Sequence, residues 1–176
     1  MKKFGYIFLM ILVASVATFA QSTTVKKAEA KPKVSTEPTV EREKFDPARN
    51  AADDLQTAIA KAATENKRII LDIGGEWCVW CRIMDYYLIE NKDLAKIVDE
   101  NFVWLKINMS EENENKEFLA NYPEIKGYPH LFVLEKDGKL IHSQDTAELE
   151  EKKSYNKQKF TDFLTKWSPA KTEKAK

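Results

Sequence analysis

The chain has 176 residues, 28 basic and 28 acidic side chains, a formal net charge of 0 and two cysteines. That length allows one domain with extensions. The balanced charge gives no footing for nucleic-acid binding, and a single cysteine pair excludes a fold stapled by many disulfides.

The start reads as an export signal. Lys2 and Lys3 precede the almost wholly apolar run Phe4 to Val16. Thr18-Phe19-Ala20 then puts small residues at the two positions a signal peptidase inspects, so residues 1–20 are expected to be removed before Gln21. No cysteine lies near that point, which excludes lipid attachment there. The alternative is an uncleaved membrane anchor, for which the apolar run is short. Removing residues 1–20 takes Lys2 and Lys3 away and moves the net charge from 0 to −2.

Residues 21–44, "QSTTVKKAEAKPKVSTEPTVEREK", hold almost no large apolar side chains and are expected to form a disordered linker. The interspersed glutamates favour a solvated spacer over a segment for an anionic surface. A folded domain is expected over residues 45–168, with a disordered tail at 169–176.

In "NAADDLQTAIAKAATENK" the residues Ala51, Leu55, Ile59 and Ala62 or Ala63 recur at helical spacing, Asn50 can cap, and Asp53 sits in the first turn. "RIILDI" is a short apolar run ended by Gly74-Gly75 and reads as a buried strand. A helix is expected from the cysteines to about Asn91, continuing in "DLAKIVDEN" with Asp93 as cap. "FVWLKIN" is a second strand, and Ser110 is expected to cap a helix over "EENENKEFLANY". "HLFVLEK" and "KLIHSQ" are expected to form a hairpin about a two-residue Asp137-Gly138 turn. "YNKQKFTDFLTKW" closes as a helix with Tyr155, Phe160, Phe163, Leu164 and Trp167 on its apolar side. A strand–helix–strand unit gives a parallel pair and the hairpin adds an antiparallel edge. Strands apolar throughout need helices on both faces, so the fold class is α/β, a central mixed sheet flanked by helices.

Cys78 and Cys81 lie in "GGEWCVWCRIMD". Such a pair can carry electrons, hold a metal or staple a loop. The C-x-x-C ring is too short to add much stability. A zinc site needs four ligands, and His130, His142 and the carboxylates show no second pair at the expected spacing, so redox chemistry is favoured.

"LDIGGEWCVWC" after a strand, "KGYPHLFVLEKDGKLI" some fifty residues later, and the element order between them resemble the thioredoxin superfamily across roughly residues 46–167. The exported thioredoxin-like proteins and the thioredoxin-like domain of transmembrane thiol reductases are the most similar groups within it. The resemblance implies a thioredoxin-like fold, a Cys78–Cys81 disulfide and thiol–disulfide exchange with no further cofactor. Cys78 is expected at an exposed helix start, where backbone N–H groups and the helix dipole favour thiolate. Cys81, one turn further in, would resolve the mixed disulfide.

Asp72 lies in the apolar strand, six residues before Cys78. It matches a buried acid that moves the proton of the second cysteine, and burial should raise its pKa. The other reading is a strand-end carboxylate satisfied by backbone groups. Lys106 matches a lysine that pairs with this acid, or else faces solvent. Pro129 matches the family's cis-proline and would expose the backbone of Tyr128 to an extended substrate. His130 replaces a threonine and is a candidate modulator or a packing residue. Trp77 is expected to shield the pair, and Trp80 replaces the proline of thioredoxin's Gly-Pro. Trp77, Trp80, Tyr128 and Pro129 are the expected substrate-binding residues, and Gly74 stands where many thioredoxins carry tryptophan.

Val79 and Trp80 bring no charge to Cys78, and Glu76 is expected to oppose its thiolate. Both points favour a reductase of the cell envelope, periplasmic or secreted. It would be a monomer that acts on protein or peptide disulfides and draws on a membrane-embedded electron donor. The alternatives are a disulfide donor or isomerase, or a binding or chaperone module for extracytoplasmic clients. The aromatic run Trp77, Trp80, Tyr86, Tyr87 and Tyr128 is compatible with a binding module.

Overall fold

A computed structural model describes residues 41–170. The expected signal segment, the expected linker up to residue 40 and the end of the expected tail, residues 171–176, lie outside the described residues.

Helix α1, Ala51–Glu65, starts where the Asn50 side chain accepts hydrogen bonds from the Ala52 and Asp53 N–H groups, at 2.9 and 3.2 Å. It stops at Asn66, which takes a left-handed φ of 54°. Strand β1, Arg68–Gly74, is central in a four-stranded sheet of order β2-β1-β3-β4. It runs parallel to β2, Phe102–Asn108, and antiparallel to β3, His130–Leu134. The last strand, β4, Leu140–Asp145, pairs antiparallel with β3.

Alternation along the strands divides the core in two. Ile69, Leu71, Ile73, Val103, Leu105, Ile107, Phe132 and Leu134 pack with the small residues Ala51, Ala58 and Ala62 of α1. On the other face Ile70, Leu131 and Val133 meet Met84 of α2, Val79–Glu90, Leu94 of α3, Lys92–Asn101, and Phe160, Phe163 and Leu164 of the C-terminal helix α5, Lys157–Trp167. This is the thioredoxin-like α/β fold, a mixed sheet flanked by helices on both faces.

Four local expectations are corrected. Asn91, not Asp93, precedes α3, and Asp93 lies in its first turn, paired with Lys157 at 2.7 Å. The helix expected over 111–122 shrinks to α4, Lys116–Leu119. Ser110 bridges Asn113 instead of capping, because amide side chains hold this stretch as a loop: Asn113 Nδ2 donates to Pro47 O at 2.9 Å and Asn115 Nδ2 to Asn108 O at 2.7 Å. The β3–β4 hairpin turns on more than two residues: Glu135 N bonds Lys139 O, Gly138 N bonds Glu135 O, and Gly138 has φ 89°. A turn followed by a left-handed glycine is the usual three-residue alternative. Tyr155 belongs not to α5 but to a two-strand addition, β5, Glu150–Glu151, and β6, Ser154–Tyr155, which follows a 3-10 turn at Thr146–Leu149.

Asn50→Ala removes the acceptor for two helix-start N–H groups. It should lower stability by about 1 kcal/mol, read as a lower urea midpoint at unchanged slope.

Candidate active site

The site forms where β1 ends and α2 begins. Met109 N donates to Gly74 O at 2.6 Å and Cys78 N to Gly75 O at 3.0 Å, which fixes the turn. Cys78 is the N-cap of α2, and its Sγ accepts from the Cys81 N–H at 3.1 Å. The two cysteines are joined as a disulfide. The expected exposed position of Cys78 is corrected: Cys78 is 4% exposed and Cys81 0%. Phe45 packs with both, and Trp80 and Tyr128 complete the cover.

Gly74 is needed where it stands. A Cβ there would lie 2.5 Å from Cys81 Sγ and 3.0 Å from the Phe45 ring. A tryptophan at this position would displace the second sulfur or Phe45.

Trp77 does not bury the pair. It is 55% exposed, donates from Nε1 to Met109 O at 2.7 Å, and meets Tyr128 edge-on at 5.5 Å between ring centroids. Trp80 instead packs edge-on against Tyr155 at 5.8 Å. The Tyr128–Pro129 peptide is cis, and Pro129 O accepts from Thr146 Oγ1 at 2.6 Å. His130 lies on the α1 face of the sheet, buried against Phe132, with Nε2 2.8 Å from Ser143 Oγ. Burial holds its pKa below the usual histidine value.

Beneath α2 lies a group of buried charges. Asp72 and Lys106 are register partners in the parallel β1–β2 pair and face α2 together. Lys106 Nζ donates to Asp72 Oδ2 at 2.9 Å and to Asp85 Oδ1 of α2 at 2.6 Å. Trp104 Nε1 adds a bond to Asp72 Oδ2 at 3.2 Å, while Asp72 Oδ1 is buried without a partner. The solvent-facing reading of Lys106 is thereby excluded, and so is satisfaction of Asp72 by backbone groups. Burial pushes the Asp72 carboxyl above the usual carboxylate range, against the pull of Lys106. Burial alone would lower the Lys106 ammonium, but Asp72 and Asp85 more than offset this and leave it raised.

Sequence reasoning missed Arg42, Phe45 and Asp85. Arg42 Nη1 reaches Asp85 Oδ2 at 2.9 Å and Glu76 Oε1 at 3.1 Å, and Nη2 meets Glu76 Oε2 at 2.5 Å. The expectation that Glu76 stands as a free negative charge beside Cys78 is thus corrected. The hydrogen bond from Arg42 holds its carboxyl below the usual range. Asp85 was detectable: positions 78, 81 and 85 share one helix face.

This arrangement can do dithiol chemistry. The first sulfur accepts one backbone N–H at a helix start, the second is enclosed one turn deeper, and a buried carboxyl keeps one oxygen free. Fold and site define a thioredoxin-like protein of the thiol–disulfide oxidoreductase type, built on a redox-active cysteine pair.

Residues 46–175 match the family Thioredox_DsbH, described as "Protein of unknown function, DUF255", and the chain belongs to that family. A disulphide isomerase from Xylella fastidiosa is similar at 27% identity and a TM-score of 0.60, over 69% of this chain and 94% of that one. The C-terminal domain of Neisseria meningitidis DsbD in its oxidised form shares the fold at 22% identity and a TM-score of 0.52, over 71% and 99% of the two chains. The thiol:disulfide interchange protein DsbD of Colwellia psychrerythraea is 29% identical over 95 residues, 53% of this chain. The match spans only 15% of that relative's length.

The raised Asp72 has a consequence for stability. Between the unfolded carboxyl value of about 3.9 and its higher folded value, the folded chain binds more protons than the unfolded chain. Stability from this group is therefore full at low pH and is lost as pH rises through the folded pKa. Glu76, held low, has the opposite sign and acts only below about pH 4.3. Asp72→Asn should flatten the decline above that point. Urea unfolding at a series of pH values checks this, and parallel profiles for the two proteins would refute it.

Proposed function

We propose that the protein reduces disulfides in proteins or peptides of the cell envelope through Cys78 and Cys81. The single observation that carries this reading is the helix-capping position of Cys78, its sulfur already accepting the Cys81 N–H at 3.1 Å, above a buried acid. In the reduced protein the Cys78 thiolate attacks a substrate disulfide. One new S–S bond forms, the substrate bond breaks, and the first substrate sulfur leaves as a thiolate that takes up a proton from solvent. Cys81, having given its proton to Asp72, attacks Cys78 Sγ and expels the second substrate sulfur, which leaves as a thiol once the proton held by Asp72 is returned. The substrate gains two electrons and the chain ends as the disulfide seen here.

Trp80 and Tyr128 pack against the pair, Trp77 meets Tyr128 edge-on and the cis Pro129 follows Tyr128, which supports assigning these four to substrate binding. His130, on the opposite sheet face, is assigned no contact with substrate. The apolar run after Lys2 and Lys3 supports export. An oxidising compartment then requires a dithiol donor, membrane-embedded, to return the pair to the reduced state. The reducing direction rests on the uncharged Val79 and Trp80 and on Asp72, since Glu76 is neutralised by Arg42.

A second reading has its own observation. Trp77, Val79 and Tyr86 are large apolar side chains left 54–57% exposed, a surface suited to holding an unfolded client without turnover.

One set of measurements separates these. Cys78→Ser should abolish exchange with a peptide disulfide, whereas Cys81→Ser should accumulate the mixed disulfide. A client-binding module would survive either change. The reduction potential, read from Trp fluorescence in glutathione or dithiothreitol buffers, should lie nearer the thioredoxin value of about −270 mV than the strong-oxidant value of about −120 mV. A value near the latter would make the protein a disulfide donor.

A further inference from the structure

Arg42 stands outside the segment that the family match spans, residues 46–175. Yet its side chain is only 9% exposed and is spent wholly on two carboxylates that flank the dithiol. Glu76 lies two residues before Cys78, and Asp85 four residues after Cys81. The same strap continues to Phe45. Its N–H donates to Glu76 Oε1 at 2.9 Å, and its ring packs on both cysteines and under the Lys106 ammonium, 4.1 Å from the centroid.

We propose that Arg42 is a positioning residue of the dithiol: its guanidinium pairs Glu76 and Asp85 together, and so removes the negative charge of both from the surroundings of Cys78. The charged and titratable groups packed around the pair are few. The loop before α2 brings Glu76, α2 brings Arg82 and Asp85, β1 brings Asp72, β2 brings Lys106, the strap brings Arg42, and Tyr128 faces the pair from before β3. Arg82 Nη1 is engaged with the Glu76 backbone carbonyl at 2.7 Å, not with its carboxylate. Lys106 is shared between Asp72 and Asp85. Without Arg42, Glu76 would lose its only side-chain cation among the described residues. Asp85 would then draw more on Lys106, at the expense of Asp72. The uncompensated Glu76 carboxylate beside it disfavours a thiolate at Cys78. A lysine would be a poor replacement, because one ammonium cannot present the forked donors that two carboxylates use here.

This inference rests on the dithiol reading, and the test keeps the two apart. In the reduced full-length chain, alkylation of Cys78 by iodoacetamide is followed against pH by peptide mapping. Arg42→Gln should displace the profile to higher pH, with roughly tenfold slower labelling at neutral pH. Arg42→Lys should fall between it and the wild type. Arg42→Gln combined with Glu76→Gln should return toward the wild type, which a merely structural loss would not do. A wild-type profile for Arg42→Gln, or no return in the double variant, overturns the proposal. Should Arg42→Gln not fold, Arg42→Lys decides: a profile superimposed on the wild type overturns it. Alkylation requires no exchange. Failure of the wild-type chain to exchange with a small aromatic disulfide would therefore sink the oxidoreductase reading alone.

Discussion

The ammonium of Lys106, held between the carboxylates of Asp72 and Asp85 inside an otherwise apolar layer, is the constraint on which the site depends. Burying three charges is expensive, and removing one partner of such a group leaves an uncompensated charge worth about 3–5 kcal/mol. Apolar residues of the same volume would serve stability at least as well. The cluster therefore points to chemistry more than to cohesion. It also pins the sheet. Asp72 and Lys106 are register partners, and sliding β2 by one residue would turn Lys106 to the α1 face and leave Asp72 alone among Ile70, Leu131 and Met84.

The same cluster ties three distant parts of the chain to one spot. Asp72 comes from the central strand, Lys106 from its parallel neighbour, and Asp85 from the helix that starts at Cys78. Arg42 then closes the outer side and Phe45 the side facing the sulfurs. Since α2 is fixed at Asp85 and at its capped start, the relative height of Cys78 and Cys81 above the sheet is set by ion pairs as well as by the packing of Met84.

How far this was legible in the sequence follows from which interactions are local. The strands were readable because "RIILDI", "FVWLKIN" and "HLFVL" are apolar on both faces, which only a covered sheet permits. Asn50 was readable as a cap because capping acts within three residues. The motif around Cys78 and Cys81 likewise carries its chemistry in adjacent positions. Residues 111–122 were misread because their spacing suits a helix, whereas Asn108, Asn113 and Asn115 satisfy the backbone across the loop. Arg42 was hidden in a polar stretch with the composition of a spacer, and its partners lie 34 and 43 residues away. No local pattern reports an ion pair of that range. Glu76 was misjudged for the same reason: the sign of its effect depends on Arg42.

Both cysteines of the pair are buried, and what covers them is uneven. In the disulfide Cys78 is only 4% exposed and Cys81 is fully enclosed. The covering groups are unequal. Phe45 and Gly74 crowd Cys81 from the sheet side, where a single added methyl would collide with its sulfur. The rest of the cover is Trp80 and Tyr128; Tyr128 meets Trp77 edge-on, and Trp77 is held by one hydrogen bond to Met109 O while more than half exposed. An edge-on aromatic contact of this kind contributes about 0.5–1.5 kcal/mol, far less than displacing Phe45 from the cysteines and the Lys106 ammonium would require. The Trp77–Tyr128 contact is therefore the weaker part of the aromatic surroundings of the pair, and Phe45 the stronger.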